Sequence, residues 1–367
     1  MVTNPLNFQD WSGMSDEKYG YGALRAGFRN HVPSHVRFDG RASSTVWMGL
    51  PDHFPGALEG SYKSLFTMVE TDRVPDGWLP FLGEFDQVIV PCEANVRVFK
   101  KLHPNVKKVP LGVDRDVYFP ASFVPNTRFR FHCGGSLWKR KGLDLVLEAF
   151  LRLGVDAELH IKCAPHMMDM PKVSAREDII VHREWMPEWE LANWFRKADC
   201  FVAPSRGEGW GLFGLQSIAC GTPTILSDTS GHREYHHLAT VVVPTYPVDA
   251  PDGGVWDETS PDVLADVMLN VYENALKARS DAMRQVPGTY AFSWENASQR
   301  LLEAIPEGTL LDNEAKFVPC QPLVTVRVHH QCRPNVAGKQ YYFTPCVKYE
   351  VPVNVRDVLR ESGYLSD

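Results

Sequence analysis

In the stretch PSRGEGWGLFGLQSIACGTPTI, Pro204 to Ile225, one carboxylate, Glu208, stands among Gly207, Gly209, Gly211, Gly214 and Gly221. Glycine costs conformational entropy wherever it sits, so such a cluster needs positive φ or the close approach of a ligand to the backbone. The stretch falls between DCFVAPS, which reads as a strand, and LFGLQSIACG, which reads as a helix closed by Gly221. A strand-to-helix junction turns backbone N–H groups and the positive end of a helix dipole, about +0.5 charge, toward whatever docks there. An anion is the natural guest. Lys141, in RKGLDLVLEAF, opens the helix that follows an earlier strand, and a cation at that end of a helix is unfavourable unless an anion lies nearby. A lysine and a helix N-terminus on one sheet edge could hold such an anion.

The elements that must hold these groups follow from periodicity. FRFHCGG, AELHIKC, DIIVH, DCFVAPS and TPTILSD read as strands, and KGLDLVLEAFLRLG and PEWELANWFRKA as helices. Leu143, Leu147, Phe150 and Leu151 repeat at i, i+4, i+7 and i+8, and Gly154 is a stop. Alternation of this kind predicts a doubly wound α/β domain whose strand C-termini share one edge, where ligands bind in open parallel sheets. The first ~115 residues predict a smaller α/β unit: YGYGALRAGFRNH has Gly20 and Gly22 before a helical run, and VPNT, Val124 to Thr127, is a linker. After a last helix at YAFSWENASQRLLEAI the chain turns β-rich, with LVTVRVHH, KQYYFTP and KYEVPV as strands and VRDVLRESG as a short helix. The expected boundaries are 1–120, 121–306 and 307–367.

Composition narrows the function classes. A net charge of −7 argues against indiscriminate nucleic-acid binding, although the segment from Cys320 to Glu350 is locally basic. The longest apolar runs are too short to span a bilayer, and the start carries no basic-then-apolar leader, so a cytoplasmic protein is expected. The eight cysteines include no C-x-x-C pair, which fits a reduced compartment. Cys320, His329, His330, Cys332 and Cys346 match no common zinc spacing, and the acidic pair Asp114 and Asp116 reads as structural, so no metal is expected.

Three motifs in order resemble a known family. PSRGEGWGLFGLQSIACGTPTI is similar to the E-x7-E segment of glycosyltransferase family 4 and related retaining enzymes of GT-B fold. VPLGVDRDVYFP resembles that family's linker run, and RKGLDLVLEAF its Lys-Gly-helix segment. The resemblance covers roughly Val109 to Ile305 well, the N-terminal unit weakly and the last ~60 residues not at all; the N-terminal loops look like those of small, phage-type glycosyltransferases. It implies two Rossmann-like domains with an interdomain cleft. Glu208 would meet donor-sugar hydroxyls, Lys141 the diphosphate, and the Gly211, Leu212 and Phe213 amides the phosphate or sugar. Gly135, Ser136, Arg140, Gly209, Trp210 and Gln216 would complete the donor site. Glu70 and His53 would be catalytic residues on the other side, with Gly20, Gly22, Thr71 and Arg73 facing the acceptor.

Two departures stand out. The second glutamate of the motif is Gln216, which keeps an acceptor but loses a charge-assisted bond. The diphosphate-binding arginine is Ser136, for which Lys139 or Arg140 could substitute. The expected function is transfer of a hexosyl or pentosyl group from a nucleotide-sugar, the co-substrate, to an acceptor hydroxyl, with retention and without metal or other cofactor. A macromolecular acceptor, a modified DNA base or a protein, is the further expectation. A non-catalytic nucleotide-sugar binder and a nucleotide-sugar epimerase stay as alternatives. Lys141 itself is read as an exposed residue whose removal hardly changes fold stability.

Overall fold

Strands covered on both faces need apolar side chains pointing both ways, and the first sheet follows that rule. Val46 and Met48 join Phe66 and Ile89 in one apolar cluster, while Trp47, Leu65, Val88 and Val90 face another. The five strands β1 (Leu6–Asp10), β2 (Ser44–Met48), β3 (Tyr62–Phe66), β4 (Gln87–Val90) and β5 (Val106–Lys108) are parallel and lie in chain order. Helices α1 (Gly20–His31), α2 (Leu79–Leu82) and α3 (Glu93–Phe99) run between them. Gly20 and Gly22 lie inside the first turn of α1, rather than in a loop ahead of it. The computed structural model describes residues 6–10, 20–31, 44–54, 62–136, 138–163, 176–305, 323–327, 335–336, 339–340, 348–362 and 365.

The second sheet is built by β6 (Phe129–Gly135), α4 (Leu143–Leu153), β7 (Ala157–Cys163), β8 (Ile179–His182), α5 (Glu188–Arg196), β9 (Cys200–Ala203), α6 (Leu212–Ala219), β10 (Thr224–Ser227) and β11 (Val241–Val243). Its strands are parallel in the order β11-β10-β9-β6-β7-β8. The chain winds outward from β6 to β8, then restarts at β9 on the other side of β6. The strand order therefore reverses between β6 and β9, and a crevice opens at their C-terminal ends. Phe131 and Cys133 face the layer of α4, and His132 points the other way, stacked on His160 with ring centroids 4.7 Å apart and packed on Trp194 of α5.

An antiparallel hairpin, β12 (Tyr246–Asp249) and β13 (Val255–Glu258), precedes α7 (Pro261–Glu273), α8 (Ala275–Gln285) and α9 (Trp294–Ala304). Ser260 and Ser293 cap α7 and α9 by accepting from the second or third amide of each helix. Although α9 follows the second sheet in sequence, it packs on α1: the Trp294 ring meets Phe28 edge-on at 5.2 Å, and Ser298 donates to the Phe28 carbonyl. One apolar cluster thus runs from Leu24 and Phe66 through Trp294 to Phe201 and Tyr235, joining the two sheets. The five described cysteines, Cys92, Cys133, Cys163, Cys200 and Cys220, are all free thiols in these cores.

The chain forms two compact units, Thr3–Asp312 and Asn313–Asp367. The second pairs β14 (Leu323–Arg327) with β17 (Lys348–Pro352) and β15 (Asn335–Val336) with β16 (Lys339–Gln340), and ends in α10 (Val353–Glu361). The Cys320, His329, His330, Cys332 and Cys346 group lies outside the described residues.

Candidate active site

The crevice between β6 and β9 is lined by the two turns that leave those strands. After β6 the chain passes Gly135 and Ser136, turns through Lys139 to Gly142, and enters α4 with Gly142 as N-cap at φ 66°. Lys141 therefore stands ahead of the helix, not on its first turn. After β9 it passes Ser205 to Gly211 and enters α6 with Gly211 as N-cap at φ 91°. Backbone bonds couple the turns, since the Arg206 amide donates to the Arg140 carbonyl at 2.8 Å.

Glu208 is the centre of the site, with its side chain 6% exposed. Lys141 Nζ donates to Glu208 Oε1 at 2.6 Å, Ser205 Oγ donates to the same oxygen at 2.7 Å, and Arg140 Nη1 lies 3.6 Å from Oε2. Burial alone would raise the carboxyl pKa, but the Lys141 and Arg140 charges outweigh it and hold Glu208 at about 2. Glu208 is thus a carboxylate throughout the neutral range, an acceptor for hydroxyls or cations and not a proton donor. Burial lowers the Lys141 pKa, against the pull of Glu208. Ser230 fixes the backbone of Glu208 from behind: its hydroxyl accepts from the amide at 3.0 Å and donates to the carbonyl at 2.7 Å.

Glycine at three positions follows from close contacts. A Cβ on Gly135 would lie 2.3 Å from Lys141 Cγ, so Gly135 clears the path along which Lys141 reaches Glu208. A Cβ on Gly207 would lie 1.9 Å from the Glu70 carbonyl oxygen, and the Gly209 position is likewise backed by Met68. Part of the glycine cluster is therefore explained by the loop after β3 pressing on it, and not by a ligand. That loop also brings Glu70 within 3.7 Å of Arg140, whose guanidinium donates to the Gly207 carbonyl at 2.9 Å.

The other candidate residues divide clearly. The α6 N-terminus, at Leu212 and Phe213, has no side-chain cap, and the Phe213 ring packs on Phe195 and Phe201. Trp210 is 1% exposed among Tyr235 and Phe292, so its ring is core and offers a donor no surface. Gln216 lies in α6 with its Oε1 buried and without a hydrogen-bond partner. Ser136 is exposed at the end of β6, and Lys139 is engaged by Asp144 at 2.9 Å, so of the two substitutes for the missing arginine it is Arg140 that faces Glu208. His53 sits on the 3₁₀ turn Pro51–His53 after β2. Thr71 donates to the Arg73 carbonyl, Arg73 pairs with Asp76, and Asp72 accepts from the Val255 amide, so this loop is tied to the β12–β13 hairpin. Gly20 and Gly22 are part of α1, and Asp114 caps its own turn by accepting from the Asp116 amide.

Sequence reasoning passed over His232 and Arg206. His232 lies under the Gly211 position, and burial holds its pKa at about 4, so it is neutral here. Arg206, between Ser205 and Gly207, is 6% exposed. A charged residue inside a strand-to-glycine junction was the available signal, because arginine is almost never buried unless paired.

Residues 128–274 match the family model described as Glycosyl transferases group 1. The D-inositol 3-phosphate glycosyltransferase of Paenarthrobacter aurescens (strain TC1) is 32% identical over 132 residues, 35% of this chain and 29% of that protein. The enzyme of the same name from Streptosporangium roseum is 25% identical over 271 residues, 64% of this chain and 59% of its own length. The chain spans less than two thirds of the length of these curated relatives. The solved structure of Anabaena Alr3699/HepE in complex with UDP and glucose superposes with a TM-score of 0.61 at 11% identity, over 82% of this chain and 98% of that one. The fold is the expected α/β arrangement of two Rossmann-like sheets seen in GT-B glycosyltransferase structures.

Proposed function

We propose that this protein is a glycosyltransferase that takes a nucleotide-sugar donor in the β6–β9 crevice and passes the sugar, with retention and without metal, to an acceptor hydroxyl presented from the first sheet. One observation carries the reading: the residues that match the family meet at the switch point of the second sheet, where Lys141 and Arg140 converge on Glu208, three residues ahead of the Gly211 N-cap of α6. Open α/β sheets bind ligands at that point. A leaving nucleoside diphosphate gathers negative charge on oxygen as the sugar bond breaks, and two cations with first-turn amides stabilise it without reorganising. Glu208, kept ionised, accepts from sugar hydroxyls, and Gln216 keeps an open acceptor oxygen for the nucleoside part. Glu70, 3.7 Å from Arg140, is the acceptor-side carboxylate that reaches this centre. A cytoplasmic setting belongs to the same proposal, in keeping with five described thiols that are all free. A macromolecular acceptor also belongs to it.

The reading is tested with a panel of UDP- and GDP-sugars. At about 100 times its dissociation constant a true donor adds about 2.7 kcal/mol of stability, and it should slowly release free sugar even without acceptor. Turnover should survive excess EDTA, and the product anomer seen by NMR should match the donor's. A panel without thermal shift or sugar release overturns the reading. Loss in EDTA restored by manganese removes the metal-free mechanism, and an inverted product removes retention.

A further inference from the structure

Arg206 takes no direct part in the cluster around Glu208, yet it spends nearly all its donors on the turn that carries Arg140 and Lys141. Its Nη1 and Nη2 donate to Asp144 Oδ1 and Oδ2 at 2.8 and 3.0 Å, a two-pronged bond to the first turn of α4. Nη1 also donates to the Lys139 carbonyl, and Nε donates to Glu258 Oε2 of β13 at 2.5 Å. The main chain repeats the pattern: the Arg206 amide donates to the Arg140 carbonyl, and the Asp257 amide donates to the Arg206 carbonyl, both at 2.8 Å. The residue two positions along is Glu208. One guanidinium thus fastens the cation-bearing turn at Lys139 and at Asp144, on either side of Arg140 and Lys141, to the loop that carries the carboxylate they face.

From this geometry we infer that Arg206 is a positioning residue for the donor site: it sets the distance between the Arg140–Lys141 turn and Glu208 so that both cations face the same anion. The inference rests on the donor-site reading above. The fork geometry is the reason an arginine stands here, because a lysine keeps the charge but cannot bond both oxygens of Asp144 and the Lys139 carbonyl together. With the fork gone, the 139–144 turn keeps its backbone bond to Arg206 but loses its side-chain anchor. Displacement of about 1 Å is enough to cost about 10²-fold in a step that depends on preplaced charge.

The test uses the full chain and two variants, Arg206→Lys and Asp144→Asn, which cut the fork from opposite ends. UDP and GDP binding are followed by calorimetry and hydrolysis of UDP-glucose and GDP-mannose by sugar release. The expected result for either variant is a drop of about 10- to 100-fold in turnover, with weaker nucleoside diphosphate affinity at unchanged binding stoichiometry. A merely structural arginine would instead lower the stoichiometry, the folded fraction, and leave the affinity of the remaining sites as it was; that outcome overturns the inference. So does a variant with parental turnover and affinity. If Arg206→Lys fails to fold, Asp144→Asn carries the comparison, since it leaves Arg206 bonded to Glu258 and to the Lys139 carbonyl. A parent chain that binds neither nucleotide and hydrolyses neither donor overturns the donor-site reading and this inference with it, whereas a binding parent matched by its variants overturns this inference alone.

Discussion

Lys141 changes meaning between sequence and structure. From its position it is a surface lysine in want of an anion; in the fold its side chain is 18% exposed and the anion is Glu208, 2.6 Å away. Lys141→Ala should therefore do two things. Turnover should fall by about 10²–10³, the scale of one preorganised charge-stabilising group. Stability should fall as well, toward about 3 kcal/mol, because removing one member of a buried pair strands the other; Ser205 and Arg140 remain beside Glu208 and keep the loss at the low end. The expectation of an unchanged fold is corrected on that ground. Chemical denaturation and donor hydrolysis on the same preparation check both effects, and a variant with parental turnover takes Lys141 out of the site. The residue types were legible because a carboxylate, a lysine and glycines at a strand end announce themselves. Their partners were not: nothing in local sequence says that Gly135 lies under the Lys141 side chain, or that Ser230, 22 positions on, holds the Glu208 backbone.

Among the elements, the strands and helices of the second sheet other than β11 were readable from period and punctuation, down to Gly154 as the stop of α4 at φ 62°. What periodicity does not encode is which strand lies beside which. The return of β9 to the flank of β6 is a long-range choice, and it creates the crevice. The same limit hid the role of the loop after β3, whose Glu70 carbonyl presses on Gly207 from the other sheet. Gly207→Ala places a methyl carbon where that oxygen now sits. Backbone cannot rotate away as a side chain does, so the loop must retreat and take Glu70 from Arg140. An overpacking cost of about 1–3 kcal/mol is expected, with transfer to acceptor lowered more than nucleotide binding. Comparison of UDP affinity with transfer rate checks this; equal losses in both would assign Gly207 to the donor side alone.

For the whole molecule, the acid side of the stability curve is a balance: the buried histidines and Glu208 lower stability on acidification, whereas Glu188, raised to about 7 by burial, holds a proton in the folded chain between about pH 7 and 4.5 and opposes them. His232 is held at about 4 by burial, partly opposed by Glu208, and His132 lies well below the ordinary histidine value through burial and the neighbouring His160. Between about pH 6.5 and 4 the unfolded chain binds protons there that the folded chain refuses, so stability is present above 6.5 and falls as pH drops through that window. Glu208, held at about 2 against an ordinary 4.5, extends the loss below pH 4.5. In a Glu188→Gln background, which removes the opposing proton, urea midpoints at pH 7, 5.5 and 4.5 should decline in that order, and His132→Phe should flatten the first interval; a midpoint that rises on acidification there contradicts the assignment. None of this was legible in sequence, where His132, His160 and His182 are merely three histidines on three strands. The buried thiols give the molecule a clock. Cys92 beside β4 and Cys220 after α6 are both pushed up to about 12 by burial, and Cys133 and Cys200 go higher still. At pH 7 a thiol of pKa about 12 is about 10⁻⁵ ionised, and thiolate is the form that reacts. In a chain whose Cys320, Cys332 and Cys346 are changed to serine, the rate of labelling by a disulfide reagent should then count openings of the core. Because one apolar cluster holds both Cys92 and Cys220 and spans both sheets, these two thiols should be labelled at a single common rate, and two separate rates would mean that the halves come apart one at a time.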